Sequence, residues 1–307
     1  MSLPREMQAL VFCEAGEQVV KSIPMPDLRP SYILIKVRYV ALNPTDWKHA
    51  FYGKGASPFS ILGCDFAGTV ISIGAEVTKQ FEAGDEVYGC AHGGNFNQGY
   101  DGAFAEYAMV KGDVTMHVPS TPAFGLDALS TIPLGSITVG QGLFQPGKGL
   151  GLAWPGVGKG GEGEWLLIYG GSPAANIKHV EICLGYNPLR DIPQICADAL
   201  SDDPGTAGQY SCILTADFPR EDVKSTFTLM YTMFGEEFDK YGENWPASKE
   251  DYNFAKRWME LTEKLVAQGK LRPHPVKLCP GGLEAVGKGI EELMGGKISG
   301  EKMVYSI

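Results

Sequence analysis

The sequence has no apolar run that approaches the ~20 residues a bilayer-spanning helix requires. Its opening residues, Met1-Ser2-Leu3-Pro4-Arg5-Glu6, hold no apolar signal-peptide core. Its seven cysteines form no Cys-x-x-Cys pair, and an odd, scattered set fits reduced cytosolic thiols better than a disulfide framework. Positive charge is scarce: 26 Lys and Arg against 36 Asp and Glu leave a net charge of −10. An acidic chain repels nucleic acid and anionic lipid, so neither is an expected partner. The five histidines (His49, His92, His117, His179, His274) show no His-Glu-x-x-His spacing, and there is no Gly-x-Ser-x-Gly elbow. These absences point to a cytoplasmic protein with no metal site, no membrane span and no serine-hydrolase chemistry.

What is abundant is glycine, with 40 in 307 residues. That is nearly twice the ordinary share of about 7%, and it signals tight turns and close backbone approaches. The length suggests two domains. In the first half, Ile33, Ile35, Val37 and Tyr39 alternate with Leu34, Lys36 and Arg38, the period of a half-buried strand. Further short strands are expected at 66–73, 85–88 and 104–110, punctuated by Gly74, Gly84, Gly89 and Gly112. Several short strands with glycine turns suggest a small barrel or sandwich.

The period changes after residue 123. Leu126, Leu129, Ile132, Val139 and Leu143 are spaced as on helices, and Pro133 divides them into two short ones. A glycine-rich loop or linker follows over 147–163. Trp165-Leu166-Leu167-Ile168-Tyr169 is apolar on both faces, as a strand of a covered parallel sheet must be. Beyond it, strands are expected at 179–184, 209–215 and 227–234, with helices at 190–201, 249–268 and 282–294 and a last strand at 302–306. The longer helices place Phe254, Trp258, Leu261 and Leu265, then Leu283, Val286, Ile290, Leu293 and Met294, on inward stripes, with Gly269 as a C-cap. Alternating strand and helix is the α/β pattern.

Two segments carry candidate chemistry. Gly170-Gly171-Ser172, directly after a buried strand, is the opening of a phosphate-binding βα turn. Asn43-Pro44-Thr45-Asp46-Trp47-Lys48 is a helix start, with Asn43 as N-cap and Pro44 in the first turn. Taken alone, Lys48 reads as a solvated side chain on a capped helix. Cys64 and Asp65 point to opposite faces of a strand, so Cys64 reads as packing.

Taken together, these motifs resemble the medium-chain dehydrogenase/reductase superfamily, in its zinc-independent branch of quinone-oxidoreductase-like proteins and fungal trans-acting enoyl reductases of the lovastatin-polyketide type. The resemblance is carried by residues 41–48, Leu62-Gly63-Cys64-Asp65-Phe66-Ala67-Gly68-Thr69-Val70, Gly84-Asp85-Glu86-Val87-Tyr88-Gly89, Gly102-Ala103-Phe104-Ala105-Glu106-Tyr107, residues 133–140, residues 168–172 and Gly295-Gly296-Lys297-Ile298-Ser299-Gly300-Glu301-Lys302. It implies an α/β fold in which a GroES-like barrel, residues 1–163 with 278–307 returning, joins a Rossmann-type cofactor domain, residues 164–277. Zinc-dependent relatives carry a histidine–glutamate pair where Cys64-Asp65 stands, so the metal-free branch matches better.

The resemblance further implies NADPH as cofactor and an α,β-unsaturated thioester, carried by a polyketide synthase in secondary metabolism, as substrate. Thr45, Asp46, Trp47 and Lys48 would line the nicotinamide and ribose, and Ser136, Ile137, Thr138 and Val139 the substrate. Ser172 and Ala174 would face the diphosphate, Phe234 and Gly235 the nicotinamide loop, and Ile298 and Ser299 the far end of the cofactor. Lys48 and Thr138 would be the catalytic donors to the thioester oxygen.

One departure from the family is large. After Ser172 the chain passes within a handful of residues to Ile177-Lys178-His179-Val180-Glu181-Ile182-Cys183, which looks like the family's fourth Rossmann strand. A βαβ unit needs roughly 30 residues, so the first helix and the next two strands are expected to be missing. Two alternatives follow: a catalytically silent remnant that binds a partner synthase, and a stand-alone quinone or enal reductase.

Overall fold

The computed structural model describes residues 3–53, 59–155, 167–168, 182–185, 192–200, 208–213, 217–240 and 242–307. The chain divides into two compact units, Met1–Leu134 with Thr232–Ile307, and Gly135–Tyr231.

The first unit opens with β1 (Glu6–Glu14), β2 (Glu17–Pro24), β3 (Tyr32–Ala41), α1 (Pro44–Tyr52), β4 (Ser60–Ile61), β5 (Asp65–Ile73), β6 (Glu86–Cys90), β7 (Tyr107–Lys111) and β8 (Met116–His117). Helix α2 (Leu126–Leu129) follows, and α3 (Pro133–Val139) leads into the second unit, whose elements are β9 (Leu167–Ile168), β10 (Ile182–Gly185), α4 (Ile192–Ala199), β11 (Gln209–Cys212) and β12 (Lys224–Phe227). The chain then returns to the first unit through β13 (Phe238–Lys240), β14 (Glu243–Trp245), α5 (Lys249–Ala267), β15 (Val276–Cys279), α6 (Gly282–Met294) and β16 (Lys302–Ser306).

Among the described residues the first unit is built from two larger sheets and the β13–β14 hairpin. One sheet has the order β2-β1-β4; the other runs β15-β16-β3-β5-β6-β8, with β7 also paired to β3. Strand β3 is its axis, bonded antiparallel to β5, β7 and β16. Register shifts at Leu34/Ile35 and Val37/Tyr39 let it bend, as bulges do in barrels. The last strand comes home as the sequence suggests, Val304 opposite Ala41. Ile33, Ile35 and Val37 face a core that includes Leu62, Phe66, Phe104, Val286 and Ile290. Leu34 is buried too, although it belongs to the alternate face.

Helix α6 buries Leu283, Val286 and Ile290 as the periodicity predicts, but Met294 is exposed, lying in the last turn beyond the core. Helix α5 is turned by one residue from the expected stripe. Its buried face is Phe254, Ala255, Trp258, Met259, Thr262 and Val266, while Leu261 and Leu265 are only half-buried. Ser248 caps it, its hydroxyl accepting from the Asp251 N–H at 3.2 Å, and Gly269 takes φ +66 just past its end.

Among its described residues the second unit holds four strands, all parallel, in the order β12-β11-β10-β9. A doubly wound sheet numbered 3-2-1-4-5-6 has the run 1-4-5-6 as four consecutive neighbours. The observed order is that run. The sheet is of the Rossmann type, and among the described residues no strand lies beyond β9, where strands 2 and 3 would stand. The strand expected at 227–234 is corrected: β12 ends at Phe227, and Met230–Phe234 form a 3-10 helix. Among the described residues no helix is long and apolar enough to cross a membrane.

Candidate active site

Helix α1 begins as its sequence dictates, with Asn43 in extended backbone at the N-cap and Pro44 in the first turn. Asn43 and Asp46 form a capping box, in which the Asp46 carboxylate accepts the Asn43 backbone N–H at 2.6 Å. The Asn43 amide also donates to Asp65 Oδ2 at 3.1 Å. Asp65 is fully buried and also accepts from Lys302 Nζ at 2.5 Å and from the Leu134 backbone N–H at 2.9 Å. A carboxylate without water needs such donors, and these tie α1, β16 and the first turn of α3 to the head of β5. Asp46, at 0% exposure, is pushed up to about 7, chiefly by burial.

Past the cap, Lys48 is half-buried, with its amine 5.5 Å from the centre of the Trp47 ring. Burial lowers its proton affinity. The next residue, His49, is buried, and its Nε2 meets Lys240 Nζ of β13. Burial, then the Lys240 charge, holds His49 well below the ordinary histidine range. Lys240 itself is lowered to about 8 by burial and by Lys48, with Cys64 opposing. His92 is kept neutral the same way, burial first and Lys240 second. Its ring stacks on Phe234 at 5.8 Å and meets Phe238 edge-on at 4.9 Å.

The segment carrying Phe234 and Gly235 is pinned to the barrel through Glu236. That carboxylate accepts from Lys111 Nζ at 2.6 Å and from the Tyr32 hydroxyl at 2.7 Å, with Arg29 Nη1 at 3.5 Å. Arg29 in turn pairs with buried Asp101. Gly235 takes φ +69, and a Cβ there would stand 2.9 Å from Tyr252 Cβ.

Thr45, Asp46, Trp47, Lys48, Phe234 and Gly235 therefore all lie in the first unit, as do half-buried Ile298 and exposed Ser299. Ser136, Ile137, Thr138 and Val139 lie on α3 in the second unit, with Ile137 fully buried. Ser172 and Ala174 lie outside the described residues. Sequence reasoning missed Lys240, His92 and Glu236 as parts of this neighbourhood, since they come from distant segments that share no motif, and it missed His49, which directly follows Lys48. Among the described residues no group of three or more His, Cys, Asp or Glu could hold a metal ion.

The donor set suits an anionic dinucleotide. Lys48 and Lys240 bring ammonium groups, and His49 and His92 neutral imidazoles, to one side of α1, whose one acid, Asp46, has its proton affinity raised to about 7.

A family profile, the Alcohol dehydrogenase GroES-like domain, matches residues 29–120. The fold is also that of solved medium-chain reductases. The CurF ER cyclopropanase from the curacin A biosynthetic pathway superposes with a TM-score of 0.69 over 99% of each chain at 18% identity, and CurK enoyl reductase with 0.68 over 99% of each at 17%. Barrel and parallel sheet together define a medium-chain dehydrogenase/reductase. Trans-enoyl reductase resD of Aspergillus sclerotiorum is 31% identical over 366 residues, covering 98% of this chain and 100% of that protein. Trans-enoyl reductase ACTTS2 of Alternaria alternata is 32% identical over 348 residues, covering 98% of each. The chain belongs to the trans-enoyl reductases, a family of oxidoreductases. Both alignments are longer than the 307 residues of this chain, so the relatives carry positions with no counterpart here.

Proposed function

We propose that the protein is an NADPH-dependent, zinc-independent enoyl reductase that works in the cytoplasm on an α,β-unsaturated thioester presented by a polyketide synthase. The full-length likeness to trans-enoyl reductases carries this reading. The functional division proposed with it is residues 1–163 with 278–307 on the substrate side and 164–277 on the cofactor side. When bound, the reduced nicotinamide supplies a hydride to the β-carbon of the enoyl group.

The side chains have a different task. As the β-carbon is reduced, negative charge gathers on the thioester oxygen, and without a metal it needs donors already in place. Lys48 is the first donor: its half-buried ammonium acts where water screens it little. The Thr138 hydroxyl is proposed as the second donor, on the family resemblance. Thr45, Asp46, Trp47, Phe234, Gly235, Ile298 and Ser299 are proposed cofactor contacts, with Ser172 and Ala174 for the diphosphate, and Ser136, Ile137 and Val139 shape the substrate side.

Lys48→Ala tests this reading. It lowers kcat by about 10²-fold or more, the scale of a lost oxyanion donor, while the melting temperature stays close to that of the parent. Equal loss of activity and stability contradicts the assigned role. A second reading, a silent remnant that only binds its synthase, draws on the four-stranded sheet. Fluorescence titration with NADPH separates the two: no saturable signal up to millimolar cofactor favours the remnant.

A further inference from the structure

Lys240 and His49 lie 191 positions apart, yet their side chains meet Nζ to Nε2. Each is held from behind. The β13–β14 hairpin is clamped at Asp239, whose Oδ2 accepts from Asn97 Nδ2 at 2.7 Å and whose backbone N–H donates to Asn97 Oδ1 at 2.9 Å. That double bond to the barrel loop fixes the backbone one residue before Lys240. On the other side, Gly94 at φ +63 lies against the imidazole so closely that a Cβ there would stand 2.7 Å from His49 Cγ. Phe96 meets the same ring edge-on at 6.4 Å. His49 is 4% exposed, so it has no room to swing away.

The charged and titratable groups around Lys240 come from three places. Helix α1 supplies Lys48 and His49, the turn before β5 supplies Cys64, and the loop after β6 supplies His92. The carboxylate of α1, Asp46, is occupied with the Asn43 N–H. The amine therefore sits among two imidazoles, a thiol and a second amine.

We propose that Lys240 is a positioning residue for Lys48: seated on His49, the residue that follows the donor, its ammonium adds a second positive charge to the neighbourhood that steadies the thioester oxygen, and its deprotonation turns the site down at alkaline pH. The inference rests on the enoyl-reductase reading above. Preorganised charge facing a developing oxyanion costs no reorganisation during the reaction, so a fixed ammonium in this position favours the reduced, negatively charged species. Burial and Lys48 bring Lys240 to about 8, which places its titration inside the accessible range.

The test pairs kcat measured from pH 6 to 10 with the ¹⁵N shifts of the His49 imidazole in the cofactor-free protein over the same range. In the parent, kcat falls along a basic limb, and the His49 shifts move with the same midpoint. Lys240→Arg carries a charge that does not titrate; it loses both limb and midpoint and keeps most activity at pH 7. Lys240→Met loses about 10- to 100-fold in kcat at pH 7, the range commanded by one charged donor, with KM little changed and the parent nearly matched at pH 9.5. Where Lys240→Met does not fold, Lys240→Arg decides alone. A limb that persists in Lys240→Arg at the parent's midpoint, or a limb without the His49 midpoint, overturns the inference and leaves the enoyl-reductase reading intact. A parent without turnover, though its His49 midpoint is present, overturns that reading and the inference with it.

Discussion

A carboxyl group buried at 0% exposure must either find donors or keep its proton, and α1 contains one that does both. Asp46 accepts the Asn43 backbone N–H and the Cys64 thiol, yet burial raises its proton affinity to about 7. Its unfolded value is about 4. Because the folded state holds the proton more tightly, stability falls as pH rises from about 4 towards 7. Asp46→Asn keeps an acceptor for the Asn43 N–H and removes that dependence. Its melting temperature, measured at pH 5 and at pH 8, therefore gains on the parent at the higher pH; an equal difference at both values contradicts the argument. The helix start itself was legible, since Asn-Pro-Thr-Asp states its cap and first turn. The surroundings of Lys48 were not. Lys240 and His92 arrive from β13 and from the loop after β6, and only tertiary folding brings them to α1.

At the scale of elements, periodicity found most strands and helices but misjudged the buried face of α5 and the element around residue 230, and packing explains both. On α5 the leucines suggested a stripe through Leu261 and Leu265, yet Thr262 and Val266 are the buried residues. The helix is oriented by Phe254 and Trp258, whose rings stack at 6.2 Å, and by Lys256, which pairs with Asp113 at 2.6 Å. Once these are set, the leucines fall one position aside. Trp258→Ala is expected to cost about 3–5 kcal/mol as a buried aromatic, and Leu261→Ala less than half as much. Urea denaturation of both variants checks this, and equal losses would restore the leucine stripe. Around residue 230, a run of apolar side chains read as a strand because a 3-10 turn buries residues as completely as a strand does. Met230, Tyr231, Met233 and Phe234 are all buried in it.

At the scale of the whole molecule, the architecture was legible because motifs in the correct order span most of the chain. The passage from Ser172 to Ile177 is too short for a βαβ unit, and among the described residues the sheet holds strands in the order 1-4-5-6. In a complete fold the helix after the first strand offers its N-terminus to the diphosphate, and residues after the second strand receive the ribose phosphate. Each charged hydrogen bond of that kind is worth about 1.5–3 kcal/mol, so losing two weakens binding by a factor of about 10² to 10⁴. This chain should therefore hold NADPH far less tightly than a full-length relative measured in the same buffer. Inserting the relative's own helix and strands between Ser172 and Ile177 should recover most of the difference in a fluorescence titration. If the parent chain instead binds as tightly as the relative, its barrel-side contacts supply the affinity alone. The cationic neighbourhood of α1 would then be the principal cofactor anchor, where the conventional division of labour assigns that task to the sheet.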